Sequence, residues 1–485
     1  MKELACLAID TVRSRGATYG DIRIIYDRSQ TVATRNGQVS SIGKEETYGF
    51  GIRVIANGSW GFAYSSKVSK DEIARVAKQA VDIAVASSKV MKDPVKLAPE
   101  PAYETRWQSP YIINPFDVRD ETKLDMLMKI DEILRKNKKI VAAETFMDFI
   151  EETQYFMSTE GSWIIQNLLR SGAGYSATAV GNNDQQERSF TPVFKQTGYE
   201  MIGNIGLLEN AERVREEAVE LLTCPDLPNG KKTLIITGDQ LALQIHESVG
   251  HATELDRVLG FEANYAGRSF ATPEKMGNFI YGSNIVNIVA DATLPTGLGT
   301  YGFDDDGVAA QRWHIIQNGI LQSYMINRET APMIGLNRSK GANRAEGFRH
   351  IPITRMTNLS LLPGDWEVDD MIKETKDGIL MDKNRCWSID QHRLNFQFGV
   401  EYAYEIKNGK KGKVFKNANY QGITPHFWAT CDAIAKEKYW VPIGVPNCGK
   451  GQPGQRAEMS HGCSYARFKN VEVGVSIKGA KNKEI

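Results

Sequence analysis

Along residues 1–92 the spacing of apolar positions changes twice. From the N-terminus to about Ser14 (within MKELACLAIDTVRSRG) apolar side chains fall at helical intervals, Asp21 to Asp27 alternates as a strand does, and about Lys70 to Ser87 returns to the helical period. Between them, TYGFGIRVIANGSWGFAYSS sets Asn57-Gly58 between two β-rich runs, the favoured signal for a two-residue hairpin turn, and Asn36-Gly37 marks an earlier turn. The pattern predicts helix, sheet, helix. Trp60, Phe62 and Tyr64 alternate along one strand, and an aromatic stripe of that period reads as sheet core before it reads as a ligand platform.

Five prolines from Pro94 to Pro115 interrupt the pattern, so 93–117 is expected to be a linker or surface strap. The earlier order then returns over 118–223. Asp120 to Lys136 is helical, Ile140 to Met157 and Ser162 to Ala179 are strand-like, and Asn210 to Leu222 is helical again, an architectural echo without residue-level self-similarity. Gly172 to Asn183, small and polar, reads as a loop or an edge strand. From 231 to 485 the chain is strand-rich, with further turns at Asn318-Gly319 and Asn408-Gly409, which predicts a sheet or barrel bearing one functional helix. The expected fold class is therefore α+β: helix-and-sheet units at 1–92 and 118–223, then a strand-rich C-terminal domain over 231–485. Within it, Asp304, Asp305 and Asp306 read as a solvated turn in preference to a site for a cation or an amine.

Composition removes several function classes. Lys+Arg and Asp+Glu both total 59, so the net charge is zero and there is no electrostatic footprint for nucleic acid. Six cysteines in 485 residues are too scattered for a disulfide framework and fit a reducing compartment. No apolar run approaches a membrane span, and Glu3 and Asp10 inside the first apolar stretch argue against a secretory signal. A cytoplasmic protein with no nucleic-acid or membrane partner is expected.

The candidate chemistry lies in IHESVGHATE, where His246, Glu247 and His251 fall within six residues. Neutral imidazole suits zinc, a catalytic site keeps one position for water, and the metal lowers that water's pKa to about 7. A carboxylate beside the first ligand can then take the proton, as in HExxH sequences, whose two histidines share one helix face. Here the histidines are five apart. At about 100° per residue that step lands roughly 140° round a regular helix, so a turn widened toward i→i+5 bonding, or a bend at Gly250, is needed to bring the rings together. The expected context is a strand from Thr233 to Ile236, a short turn, and a helix opened by a capping box of Thr237 with Gln240. Two ordinary surface histidines are the bland alternative, weakened by the chain's having only 7 His.

Zinc also needs a third protein ligand. Glu254 lies three residues past His251, Cys448 sits among glycines and prolines in VPNCGKGQPGQ, and Cys463 stands beside His461 in SHGCSYARF. Chemistry alone leaves all three open, whereas Cys6, Cys224, Cys386 and Cys431 have core-like or linker surroundings.

HESVGHATELD, GTYGFDDDGVAAQRWHIIQNGIL, RMTNLSLLPGD, FQFGVEYAYEIKNGK and NCGKGQPGQ occur in the order seen in the TldD/PmbA family of peptidases. The chain resembles that family strongly from about Lys231 onward and more loosely from Ala17 to about Lys89, and its HExxxH element resembles the TldD type. The resemblance implies that His246, His251 and Cys448 hold zinc and that Glu247 is the catalytic acid/base. It further implies that unfolded or short peptides, including peptide precursors, are substrates reached through a closed cavity. A dimer is implied as well, either of identical chains or with a metal-free PmbA/TldE-like subunit. The competing reading is a non-catalytic, zinc-stabilised scaffold or chaperone-like subunit. Such a structural site is normally closed by four protein ligands and has no use for a carboxylate beside the first His.

Overall fold

The computed structural model describes residues 1–181 and 183–475. Its first half follows from local signals. Asn36 and Asn57 take φ of 52° and 51°, and Gly37 and Gly58 follow at 79° each, so both Asn-Gly pairs form tight hairpin turns. They join β1 (Tyr19–Arg35), β2 (Gln38–Ala56) and β3 (Ser59–Ser65) into an antiparallel meander. Helix α1 (Lys2–Ser14) precedes it and α2 (Lys70–Ser87) follows. The start of α2 is fixed by Ser69, whose side chain accepts from the Glu72 amide, and its core face by Ile73, Val76, Ala77, Ala80, Val81 and Ala84 at helical spacing.

The echo in the central segment is visible as architecture. After β4 (Glu104–Gln108) come α3 (Asp120–Leu134), β5 (Ile140–Ser158), β6 (Trp163–Gly181), β7 (Asp184–Lys195) and α4 (Leu207–Leu221). β1 pairs antiparallel with β5, so the two meanders stand back to back in one seven-stranded sheet ordered β3-β2-β1-β5-β6, with β7 and β4 both on β6. The proline-rich stretch thus supplies a strand, β4, lying parallel to β6. Gly172 to Gly181 is not an edge: it runs between β5 and β7. Its small residues suit a position flanked on both sides, which polarity alone does not reveal.

Helices cover one face of this sheet and the C-terminal segment covers the other. Ser59, Gly61 and Ala63 turn toward α2, and a Cβ on Gly61 would lie 2.0 Å from the Ala80 carbonyl oxygen, a separation that only glycine permits. Trp60, Phe62 and Tyr64 consequently point the other way. Trp60 Nε1 donates to Glu329 at 3.1 Å and Tyr64 meets Phe348 edge-on, so the stripe lines the seam with the C-terminal segment and not the helix-covered core.

The acidic run also departs from expectation. Asp304, Asp305 and Asp306 are all buried in this seam. Asp306 pairs with Arg53 at 2.8 Å, Asp305 accepts from Gln154 and the Ala345 amide, and Asp304 accepts from the amides of Asp306, Val308 and Asn343. Buried carboxylates persist because every one is met by a donor; two amides of the same turn serve Asp304, and the other donors come from segments far away in sequence.

The C-terminal segment begins with β8 (Gly230–Ile236). Strand Asp377–Ile389 pairs parallel with β8, β8 pairs with Ala466–Val475, that strand with Ala418–Ile423, and that one with Asn395–Lys407, which returns to Asp377–Ile389. The five strands close a ring, the barrel that the pattern suggested. A separate six-stranded sheet ends in Gln455–Cys463 beside Val441–Lys450. Between the ring and this sheet runs α5 (Gly238–Ile245), buried along its length and sharing one core with Leu359, Phe398, Tyr420 and Trp428. No helix among the described residues is long and apolar enough to cross a membrane.

Candidate metal centre

β8 enters α5 through Thr237, but the capping box is not formed. The Thr237 hydroxyl instead donates to Asp382 Oδ1 at 2.9 Å, a tertiary partner winning over a local one. At its far end α5 widens. His246–Gly250 is a π-turn, and the His251 amide donates to the His246 carbonyl, the i→i+5 bond that the five-residue spacing required. The imidazoles then stand with ring centroids 4.8 Å apart at 87°. Trp428 Nε1 donates to Ser248 Oγ at 2.9 Å and Thr253 Oγ1 to the Val249 carbonyl, which pins the turn from both sides.

Gly250 is where Met356 crosses the turn. A Cβ there would come 2.1 Å from Met356 Sδ, and Met356 is fully buried. Overpacking of this kind costs about 1–3 kcal/mol. Gly250→Ala is therefore expected to lower the melting temperature and metal content together, measured by thermal denaturation and elemental analysis; unchanged values would show that the turn tolerates a side chain.

The strand Val441–Lys450 brings Cys448 to the same place from almost two hundred residues away. Cys448 Sγ lies 3.3 Å from His251 Nε2, and one donor atom each from His246, His251 and Cys448 lie within 4.8 Å of one another. Among the described residues this is the one group of at least three His, Cys, Asp or Glu side chains able to hold a metal ion. Cys463 is elsewhere: its thiol donates to the Gly238 carbonyl at 3.0 Å. Glu254 stands behind His251 and not beside the site, 2.8 Å from its Nδ1, so it fixes the proton on that nitrogen and leaves Nε2 facing Cys448.

His461 does the same for His246. Its Nδ1 faces the Leu359 carbonyl at 3.3 Å, which can only accept, so the Nδ1 proton belongs there and Nε2 accepts from His246 Nδ1 at 2.7 Å. His246 Nε2 is thereby left with its lone pair. Burial, with neighbouring positive charge, holds His246 and His251 well below the ordinary imidazole range, and burial takes His461 down to about 4. All three rings are neutral, the form that binds a metal. Burial pushes the Cys448 thiol up to about 12, so its thiolate form requires a cation in contact. Two neutral imidazoles and a thiol, with their outer hydrogen bonds already assigned, are a donor set that fits zinc.

Losing one outer partner typically weakens metal binding by roughly 10- to 100-fold. Glu254→Ala is expected to fall in that range in competition with a chromophoric chelator, and wild-type affinity in that variant would show that His251 is held by other contacts.

Glu247 is buried beside the three donors. Burial raises its carboxyl above the usual range while the Arg393 guanidinium, 2.7 Å from Oε2, opposes the shift. The Trp387 indole also hydrogen-bonds to it. Behind the site Lys450 is buried against Asp256 at 2.5 Å, and Arg355 donates to the Cys448 carbonyl at 2.7 Å.

Sequence reasoning gathered His246, Glu247, His251 and Cys448 but gave no role to His461 or Arg393. The one available signal for His461 was strand alternation, which puts it two residues from Cys463 on the strand paired with that of Cys448. Family models sharpen the comparison: the PmbA/TldA metallopeptidase C-terminal domain matches residues 229–475, domain 1 matches 20–84, and the central domain matches 113–223.

The chain belongs to the PmbA/TldD metallopeptidase family.

Its relatives match along nearly their whole length. A protein of Methanocaldococcus jannaschii named as a metalloprotease is 31% identical over 450 residues, 93% of this chain and 95% of its own. A Saccharolobus solfataricus protein named as a zinc metalloprotease TldD homolog is 22% identical over 472 residues, covering 95% and 97%. The solved structure of TldE from Thermococcus kodakarensis superposes with a TM-score of 0.77 at 15% identity, covering 98% of this chain and 99% of that one. At that identity the likeness concerns the fold alone: the α+β architecture is that of the PmbA/TldD family.

Proposed function

We propose that this chain is a zinc-dependent peptidase of the HExxxH type that hydrolyses unfolded or short peptides, peptide precursors among them. The observation that carries the reading is the convergence of His246, His251 and Cys448 donor atoms within 4.8 Å, next to a buried Glu247 that is not one of the three. Zinc held by His246, His251 and Cys448 would supply Lewis acidity, able to polarise a carbonyl and to bring a water's pKa to about 7. Glu247 takes the proton from the attacking water and returns it to the departing amine, a role worth roughly 10²- to 10⁴-fold. Glu254 and His461 fix the Nδ1 protons and the aim of both imidazoles, which burial keeps neutral. The Saccharolobus solfataricus relative, named as a zinc enzyme, supports the choice of metal.

An extended peptide recognised through its main chain suits a broad substrate range. The fold shared with TldE supports a pairing of this chain with a metal-free TldE-like subunit, or with a second copy of itself, and its few, scattered cysteines fit a reducing, cytoplasmic setting. The test is a digest of short unstructured peptides by the purified protein, alone and co-expressed with such a relative, with and without chelator. Cleavage that chelator abolishes and zinc restores is expected. Retained zinc with no cleavage in either preparation would favour the scaffold role.

A further inference from the structure

Hydrolysis of an amide places negative charge on the former carbonyl oxygen, and donors fixed in advance toward that position lower the barrier. The donors nearest Glu247 are not equally free to serve. The Nδ1 protons of His246 and His251 are committed to His461 and Glu254. Arg257 spends its guanidinium on the carbonyls of Arg268, Ala266 and Gln391 and on Glu262. Arg355 is fully buried and donates to the carbonyls of Cys448 and Gln455, so it braces the ligand strand from behind.

Arg393 differs from both in touching Glu247 directly, whereas the Arg355 Nε, also without a hydrogen-bond partner among the described residues, belongs to a fully buried side chain behind Cys448. Arg393 comes from the tip of the hairpin formed by Asp377–Ile389 and Asn395–Lys407, on a separate part of the chain from the metal-binding residues. One guanidinium nitrogen, Nη1, holds Glu247 Oε2, while the buried Nε has no hydrogen-bond partner among the described residues. A buried, charged N–H left unused costs free energy. Here it lies within one guanidinium group of the residue that moves the proton. The side chain as a whole is not sealed by protein, retaining 17% exposure.

The backbone that presents Arg393 is pinned at several points. Asp390 accepts from the amides of Leu394 and Asn395, which closes the tip. Arg393 itself sits at φ 61°, in the left-handed region, and its carbonyl accepts from Thr424 Oγ1 at 2.8 Å. The His392 carbonyl accepts from the Phe270 amide and the Gln391 carbonyl from Arg257. Three segments thus hold the tip, so the guanidinium is fixed in place before any substrate arrives.

We propose that Arg393 is a catalytic residue: it holds the Glu247 carboxylate through Nη1 and donates from its remaining N–H groups to the substrate carbonyl oxygen as that oxygen becomes negative. The proposal rests on the peptidase reading above. No bond to Arg393 forms or breaks. The water proton goes to Glu247 and then to the leaving amine, while the guanidinium stays charged throughout. A planar fork reaching two acceptors at once is what Arg offers and Lys lacks.

The test uses full-length zinc-loaded protein, the same short unstructured peptides, and a phosphinic peptide that mimics the tetrahedral intermediate. Arg393→Asn suits the left-handed backbone, and Arg393→Lys keeps the charge if the first variant fails to fold. Arg393→Asn is expected to lose roughly 10²- to 10³-fold in kcat with KM little changed and zinc content equal to wild type. Affinity for the phosphinic peptide should fall by the same factor as kcat/KM, and Arg393→Lys should recover part of both. Wild-type kcat in Arg393→Asn, or a fall in kcat with unchanged affinity for the phosphinic peptide, overturns the assignment and leaves the peptidase reading standing. Absence of chelator-sensitive cleavage by the wild-type protein overturns both.

Discussion

Glu247→Gln is expected to retain wild-type zinc and to lose roughly 10²- to 10⁴-fold in the rate of peptide cleavage. Retention follows from the geometry. Glu247 is not among the three converging donors, and a Gln side chain of equal size still offers an amide oxygen to Arg393 Nη1. The buried pocket keeps its volume and its principal hydrogen bond. What disappears is a group that can accept a proton, because an amide nitrogen carries no basic lone pair at neutral pH. Metal analysis beside steady-state kinetics separates the two effects. Cleavage at the wild-type rate would remove Glu247 from the mechanism, and loss of zinc would make it part of the metal site.

The second large effect concerns the thiol. Cys448→Ala is expected to lose most of its bound metal on dialysis, while Cys463→Ala keeps it. Removing an outer hydrogen bond already weakens metal sites by roughly 10- to 100-fold, and Cys448 is itself one of the three donors, with Sγ 3.3 Å from His251 Nε2. Cys463 points into a different part of the core, where its thiol donates to the Gly238 carbonyl. Cys463→Ala is a test of packing alone, and a lower melting temperature with intact zinc is its expected signature. The reverse pattern would place the third ligand on Cys463.

Local chemistry made much of this fold readable. Ser69 as an N-cap, the helical spacing from Ile73 to Ala84 and the Asn-Gly turns each act within a few residues, so their outcome is written in short stretches. The five-residue gap between His246 and His251 was informative for the same reason: it allowed convergence only through a widened turn, and the turn is there. Where distant segments compete, the reading changed. Thr237 gives its hydroxyl to Asp382 and forgoes the cap, and Trp60, Phe62 and Tyr64 face the seam because Gly61 lets α2 come too close for anything but small residues on the other side.

Asp304 to Asp306 show the limit most clearly. Three adjacent acids are costly to bury unless donors surround them, and beyond the local amides of Asp306 and Val308 theirs come from Arg53, Gln154, Asn343 and Ala345, none of which the local pattern links to them. The same applies to the centre. Cys448, Cys463 and Glu254 could not be separated by chemistry, and resemblance chose Cys448 where the geometry now gathers it. Glu254 proved relevant in another capacity, bracing His251. His461 and Arg393 escaped notice because each acts across the fold on a residue more than a hundred positions away.

Absorption at the zinc K-edge of the purified, metal-loaded protein examines the ligand set without relying on activity. Two imidazole nitrogens at about 2.0–2.1 Å and a single sulfur at about 2.3 Å are predicted. A spectrum with no sulfur scatterer, or with two, would contradict the pairing of His246 and His251 with Cys448.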